Sequence, residues 1–223
     1  IWKAKELSGS YKLHPDYYRN NIIGDWGERI PICSAFVQEL YVINQMAGAI
    51  GRPRLFRVYF GEYGEGKPRE LSFLVRPTLA EFNAFVHLLD KLLSDNLNKE
   101  FFATDISAET DHERSDGKIV VERKGTLQML DEWVRKGFRT DDWEPWNEAI
   151  AALRNIRRMR QKPAHAIKEN VFDQKYFQEL RNVIISAYCA LRTLRLLMAN
   201  HPAVRAAQIE IPDCLYEGKI WDF

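Results

Sequence analysis

The sequence predicts a mainly α protein of the α+β class, a helical bundle with a small β-hairpin or sheet in its N-terminal half. Three observations predict it. Two long stretches, about 145–160 and 173–199, repeat apolar residues at spacings of three and four, the period of a buried helix face. Two further stretches, 33–50 and 78–98, carry the same period. Short β-branched and aromatic runs lie between them, bounded by glycine and proline.

Residues 1–31 are rich in aromatics and turn formers and read as irregular structure over a core. His14, Asp16, Asp25 and Glu28 in this stretch follow no ligand spacing and are taken as surface polar residues, so no metal site is expected. From 33 to 50, Phe36, Val37, Leu40, Ile43 and Ala47 share one helix face, stopped by Gly48 and Gly51-Arg52-Pro53. Leu55–Phe60 and Leu71–Val75 then read as the two strands of a hairpin around the glycine-rich 61–68. That loop lacks a following Gly-Lys-Ser/Thr and a helix start, so it is not read as a phosphate cradle.

Thr78-Leu79-Ala80-Glu81 is a capping box, opening a helix with Phe82, Phe85, Leu89 and Leu92 inside and His87 and Asp90 in solvent. The acidic 103–117 reads as an exposed loop and Lys118–Arg123 as a short strand. A short helix follows Gly125, with Leu127, Leu130 and Val134 on one face. Asp141, Asp142, Glu144 and Pro145 mark the start of the first long helix. Its stripe is Trp146, Ile150, Leu153 and Ile156; that of the second is Phe177, Leu180, Ile184, Ala187, Leu191 and Leu194. Asn200-His201-Pro202 ends the pair, and the tail is expected to form a strand at 209–211 and an aromatic clasp at 221–223. The chain divides on this reading into an α/β portion at 1–125, a helical bundle at 126–200 and a packing tail at 201–223.

Composition narrows the function. The 223 residues are 46% hydrophobic, enough for a real core. The net charge of +1 means that nucleic-acid binding needs a local basic patch. Three widely spaced cysteines fit a reduced, cytoplasmic setting. No wholly apolar run reaches membrane-spanning length, so no membrane partner is expected. The chain opens on Ile1, and a piece of a longer protein is expected.

The local patch sits between the two long helices: Arg154, Arg157, Arg158, Arg160 and Lys162, then His165 beyond Pro163. At about 100° per residue, Arg157 and Arg160 fall inside the apolar stripe, and Arg154 and Arg158 beside it. Two cations on a buried face require an anion to meet them. Carboxylates such as Glu148, Glu169 or Asp173 can supply it, as can a phosphate.

Arg160, four residues and His165, at the junction of two bundle helices, resemble the signature of the HEPN superfamily. The resemblance covers about 145–199. That family carries a polar residue after the arginine, more usually Asn, Asp or His; here it is Gln161. The resemblance implies a metal-independent endoribonuclease working as a homodimer, of the kind found in toxin and antiviral-defence systems, with no cofactor. It implies Arg160 and His165 as the catalytic pair, and an antitoxin or regulatory domain outside this chain as a further partner. The chemistry suits the residue types. Histidine titrates near neutrality and moves protons, while guanidinium stays charged and forks onto phosphate oxygens. Arg157, Arg158, Gln161 and Lys162 would then lie along the RNA. The alternative expectation is a non-catalytic binding or dimerisation module. A helix-turn-helix built on 154–162 fits less well, because the segment that follows is too long and apolar for a recognition helix.

Overall fold

The computed structural model describes residues 29–61, 66–72, 76–113, 119–161 and 170–221. Among these the fold is mainly α with small β elements, as expected. In chain order they are β1 (Ile30–Pro31), α1 (Ile32–Ala49), α2 (Leu79–Leu92), α3 (Lys99–Phe102), β2 (Glu109–Glu113) and β3 (Ile119–Arg123). Then come α4 (Thr126–Gly137), α5 (Glu144–Gln161), α6 (Lys175–Ala199), α7 (Pro202–Ala207), α8 (Asp213–Tyr216) and β4 (Ile220–Trp221).

Helix α6 is the centre. It packs against α5 on one side and α1 on another, and α2 closes the bundle against both α5 and α6. The anticipated stripes of α1 and α5 are buried throughout. In α6, Tyr176 rather than Phe177 takes the first inward position and stacks on Phe82 of α2, ring centroids 5.5 Å apart, leaving Phe177 exposed. By length and composition α6 is apolar enough to cross a membrane, but half of that stretch is buried here, as a central helix of a bundle requires. The buried residues of α1, α2, α4, α5 and α6 form a single apolar cluster.

Helix α2 starts as the capping box predicts, Thr78 Oγ1 accepting from Glu81 N–H at 3.3 Å. The Glu81 carboxylate turns instead to Arg76, accepting from its backbone N–H and its Nε, both at 3.1 Å. The helix ends at Leu92, short of Asn98, and Asn98 caps the separate α3.

The hairpin lies elsewhere than the sequence places it. Leu55–Phe60 forms no strand, and 62–65 and 73–75 lie outside the described residues. The physical reason is visible in the hydrogen bonds. Asn44 of α1 uses its side-chain amide to satisfy both the N–H and the C=O of Phe56, each at 2.9 Å. Asn96 does the same for Val58, at 2.6 and 2.5 Å. Two asparagine side chains stand where a neighbouring strand would. The true hairpin is β2–β3, antiparallel, Glu109 opposite Arg123 through Glu113 opposite Ile119. The acidic run read as loop thus supplies one of its strands. The tail also differs: 209–211 is not a strand, and Ile220–Trp221 pairs in parallel with Ile30–Pro31. Residues 222 and 223 of the expected clasp lie outside the described residues.

One buried polar group marks a place where the core can be improved. Tyr188 of α6 is buried, and its hydroxyl finds no hydrogen-bond partner among the described residues. Burial first, and the nearby Glu39 charge second, push its phenol up to about 12. A phenol raised in the folded state contributes stability fully below its ordinary value near 10, lost as pH rises through about 12. Tyr188→Phe is expected to stabilise the fold by about 1 kcal/mol at neutral pH, because a buried unpaired hydroxyl is removed. It should also flatten the loss of stability between pH 10 and 12; urea melts across that range measure both.

Candidate functional site

The basic residues lie on the last turns of α5. That helix forms because Trp146, Ala149, Ile150, Leu153 and Ile156 recur on one face and bury against the bundle. Continuing this stripe brings Arg157 and Arg160 round to the C-terminal end of α2. The anion predicted to meet them is there, but it comes from neither α5 nor the segment after it. Arg160 Nη1 lies 2.7 Å from Asp90 Oδ2 and also bonds Asp95 Oδ2. Arg157 Nη1 lies 3.6 Å from Asp95 Oδ1.

Asp90 is fully buried, which corrects the expectation that it lies in solvent; His87 is exposed as expected. The Asp90 side chain faces α5 rather than the apolar stripe of its own helix, and Arg160 makes its burial tolerable. Its second oxygen, Oδ1, has no partner among the described residues, and neither has the buried Ser94 hydroxyl one turn later. The carboxylates expected to serve do not. Glu148 is exposed on the far part of α5, Asp173 pairs with Lys175 at 3.1 Å, and Glu169 lies outside the described residues.

Arg160 is held without being used up. Both of its ion pairs use Nη1, and Nε and Nη2 have no bond within the described residues. Its side chain is 29% exposed. Hydrogen bonds to Asp90 and then Asp95 push the guanidinium further above its ordinary range, so its charge is fixed at any working pH. The result is a partly exposed cation anchored through one nitrogen, with its other donors unengaged among the described residues. Arg158, beside it, donates to Asn155 Oδ1 at 3.3 Å and meets no carboxylate among the described residues. Arg154 is tied to Asp131 of α4 at 2.9 Å. Gln161 is the exposed last residue of α5.

Lys162 and His165 lie outside the described residues; of the others, Arg157 and Arg160 meet at Asp95, while Arg158 and Gln161 are exposed at the end of α5. The chain on either side of 162–169 is fixed to α2. Arg160 grips its C-terminal end. At its other end, Ala80 N–H donates to Asn170 Oδ1 at 3.0 Å, Leu79 N–H to Val171 C=O at 3.0 Å, and Asp173 N–H to Pro77 C=O at 2.9 Å.

Asp90 and Asp95 are the site residues that sequence reasoning missed. Their partner is about 70 residues away, and helical periodicity holds no signal for so distant a contact. His14, Asp16, Asp25 and Glu28 lie outside the described residues. Among the described residues no group of three or more histidine, cysteine or acidic side chains gathers as a metal site. Comparison with models of known families, with curated proteins and with solved structures finds no match to this chain.

Proposed function

We propose that the chain is a HEPN-type endoribonuclease of a toxin or antiviral-defence system, cutting RNA without a metal ion and acting as a homodimer. Arg160 and His165 are its catalytic pair, with Arg157, Arg158, Gln161 and Lys162 along the substrate. One observation carries the reading: a guanidinium anchored by a buried carboxylate through one nitrogen, its other donors unengaged among the described residues. Such an arginine is oriented before substrate arrives, so little reorganisation is needed when charge builds on a phosphate. In the reaction His165 would take the proton of the 2′-hydroxyl as the 2′-oxygen attacks phosphorus. Arg160 would hold the non-bridging oxygens as the P–O5′ bond breaks and the 5′-oxygen takes a proton from water. The role of His165 rests on the sequence motif.

The second reading is a non-catalytic binding or dimerisation module of the same type. What favours it is that Asp90 and Asp95 already offset the charge of Arg160. A single experiment separates the two. The purified protein is expected to cut single-stranded RNA in EDTA, and His165→Ala to slow this by about 10²–10⁴-fold, the range for a lost general acid or base. No cutting by the wild type leaves the module, whereas full cutting by the variant removes His165 from the reaction and overturns the HEPN-type assignment. Mass measurement in solution tests the dimer.

A further inference from the structure

Residues 55–58 run beside the site formed by α2 and α5. The segment is fastened along the turn that leaves α2. Arg57 N–H donates to Asn96 C=O at 3.0 Å, Asn98 N–H to Leu55 C=O at 2.8 Å, and Asn96 clasps Val58 from both sides. Phe56, fully buried, bridges to Leu97. A segment held at so many points delivers its one charged side chain to a defined place. That place is Asp95: the Arg57 guanidinium donates through Nη2 to the Asp95 backbone carbonyl.

Three guanidiniums from two distant parts of the sequence therefore surround one residue. Arg57 takes its carbonyl, Arg157 faces one carboxylate oxygen, and Arg160 bonds the other. Counting Asp90 as well, three positive charges meet two negative ones, leaving a formal surplus of one cation. Arg57 is exposed and the Arg157 side chain is 42% exposed, so the surplus faces solvent. Each arginine brings five donors, and these contacts occupy few of them.

We infer that Arg57, with Arg157 and Arg160, forms a phosphodiester-binding surface, and that Arg57 contacts the RNA backbone at a phosphate beside the scissile one. This rests on the ribonuclease reading. It assigns a substrate-binding role to the N-terminal portion of the chain. Contacts from several elements to successive phosphates suit a strand better than an isolated phosphate ion. Because such contacts are to the backbone, they set affinity and register and carry no base preference.

The test uses the full chain and a fluorescent single-stranded oligoribonucleotide with 2′-O-methyl groups, which cannot be cut through its 2′-oxygen. Binding is followed by anisotropy over a salt series. Each phosphate contact on a single strand adds about 0.7 to the slope of log affinity against log salt. Arg57→Gln is expected to lower that slope by about 0.7 and to weaken binding roughly tenfold at low salt, as loss of one charge-assisted contact does. Arg123→Gln, on the exposed hairpin, is expected to change neither. Arg57 is exposed, so a thermal melt of the variant should match the wild type. If the wild type binds and Arg57→Gln has the same slope and affinity, the role of Arg57 is overturned while the RNA reading stands. An equal loss in Arg123→Gln overturns it too, since binding would then follow overall charge. If the wild type does not bind at all, the RNA reading itself fails.

Discussion

Glu39→Ala is expected to lower the free energy of unfolding by about 3–5 kcal/mol, the usual cost of breaking a buried ion pair from one side. Glu39 sits in the middle of α1 and is fully buried; Arg195 of α6 is almost equally so. Arg195 Nε donates to Glu39 Oε2 at 2.6 Å, and its Nη2 reaches Leu215 C=O of α8 at 3.5 Å. One guanidinium thus joins α1, α6 and the C-terminal tail. Removing the carboxylate strands a cation that cannot leave, because α1 and α6 pack closely along their length.

The pair itself is not a source of net stability. Glu39 Oε1 is buried without a partner among the described residues, so its desolvation is only partly offset. Burial raises the Glu39 carboxyl above its ordinary value, and the Arg195 hydrogen bond and charge only partly counter this. An acid raised in the folded state contributes stability that is full below its ordinary value near 4.5 and lost as pH rises through the folded value. Wild type should therefore gain on Glu39→Gln as pH falls toward that value. The double replacement Glu39→Leu with Arg195→Met should recover most of the loss seen in Glu39→Ala, since well-packed apolar pairs commonly match or exceed a buried ion pair. Urea unfolding of the four proteins decides this; a loss under 1 kcal/mol in Glu39→Ala would show that the site is wetter than its geometry implies.

The elements that were legible in the sequence are those whose burial is set locally. The face of α1 through Phe36, Leu40 and Ile43, the cap at Thr78 and the stripe of α5 each follow from residues within a few turns of one another. What was hidden depends on distant partners. Leu55–Phe60 has strand-like composition, but Asn44 and Asn96 take up its backbone groups, and nothing in the segment itself records that. The choice of Tyr176 over Phe177 for the core is set by the Phe82 ring across the bundle. The candidate site divides in the same way. Placing Arg157 and Arg160 on the inward face of α5 was enough to require an anion. Only the packing of α2 on α5 identifies it as Asp90 with Asp95, and only the fastening of 55–58 to the α2 exit adds Arg57.

That pairing changes how the role of Arg160 has to be tested. Arg160→Ala is expected to destabilise the fold by about 3 kcal/mol, because it leaves the fully buried Asp90 carboxylate without its cation. Loss of RNA cutting in that variant would therefore not distinguish a lost catalytic group from a loosened helix end. Arg160→Ala combined with Asp90→Asn removes the stranded charge together with its partner. The double variant should recover about 1–3 kcal/mol relative to Arg160→Ala, as residues in direct contact do when both are changed. If Arg160 stabilises charge on phosphate, the double variant should still cut at least about 10²-fold more slowly than wild type, the scale of a lost transition-state donor. Recovery of cutting in step with stability would make Arg160 a clamp between α5 and α2 and nothing more. Asp90→Asn alone completes the cycle. It keeps Arg160 but loosens its anchor, so on the ribonuclease reading it should lower cutting while the melting temperature falls only a few degrees. Cutting rates set against unfolding free energies for these four proteins thus separate what Arg160 does for the fold from the phosphate-binding role proposed for it.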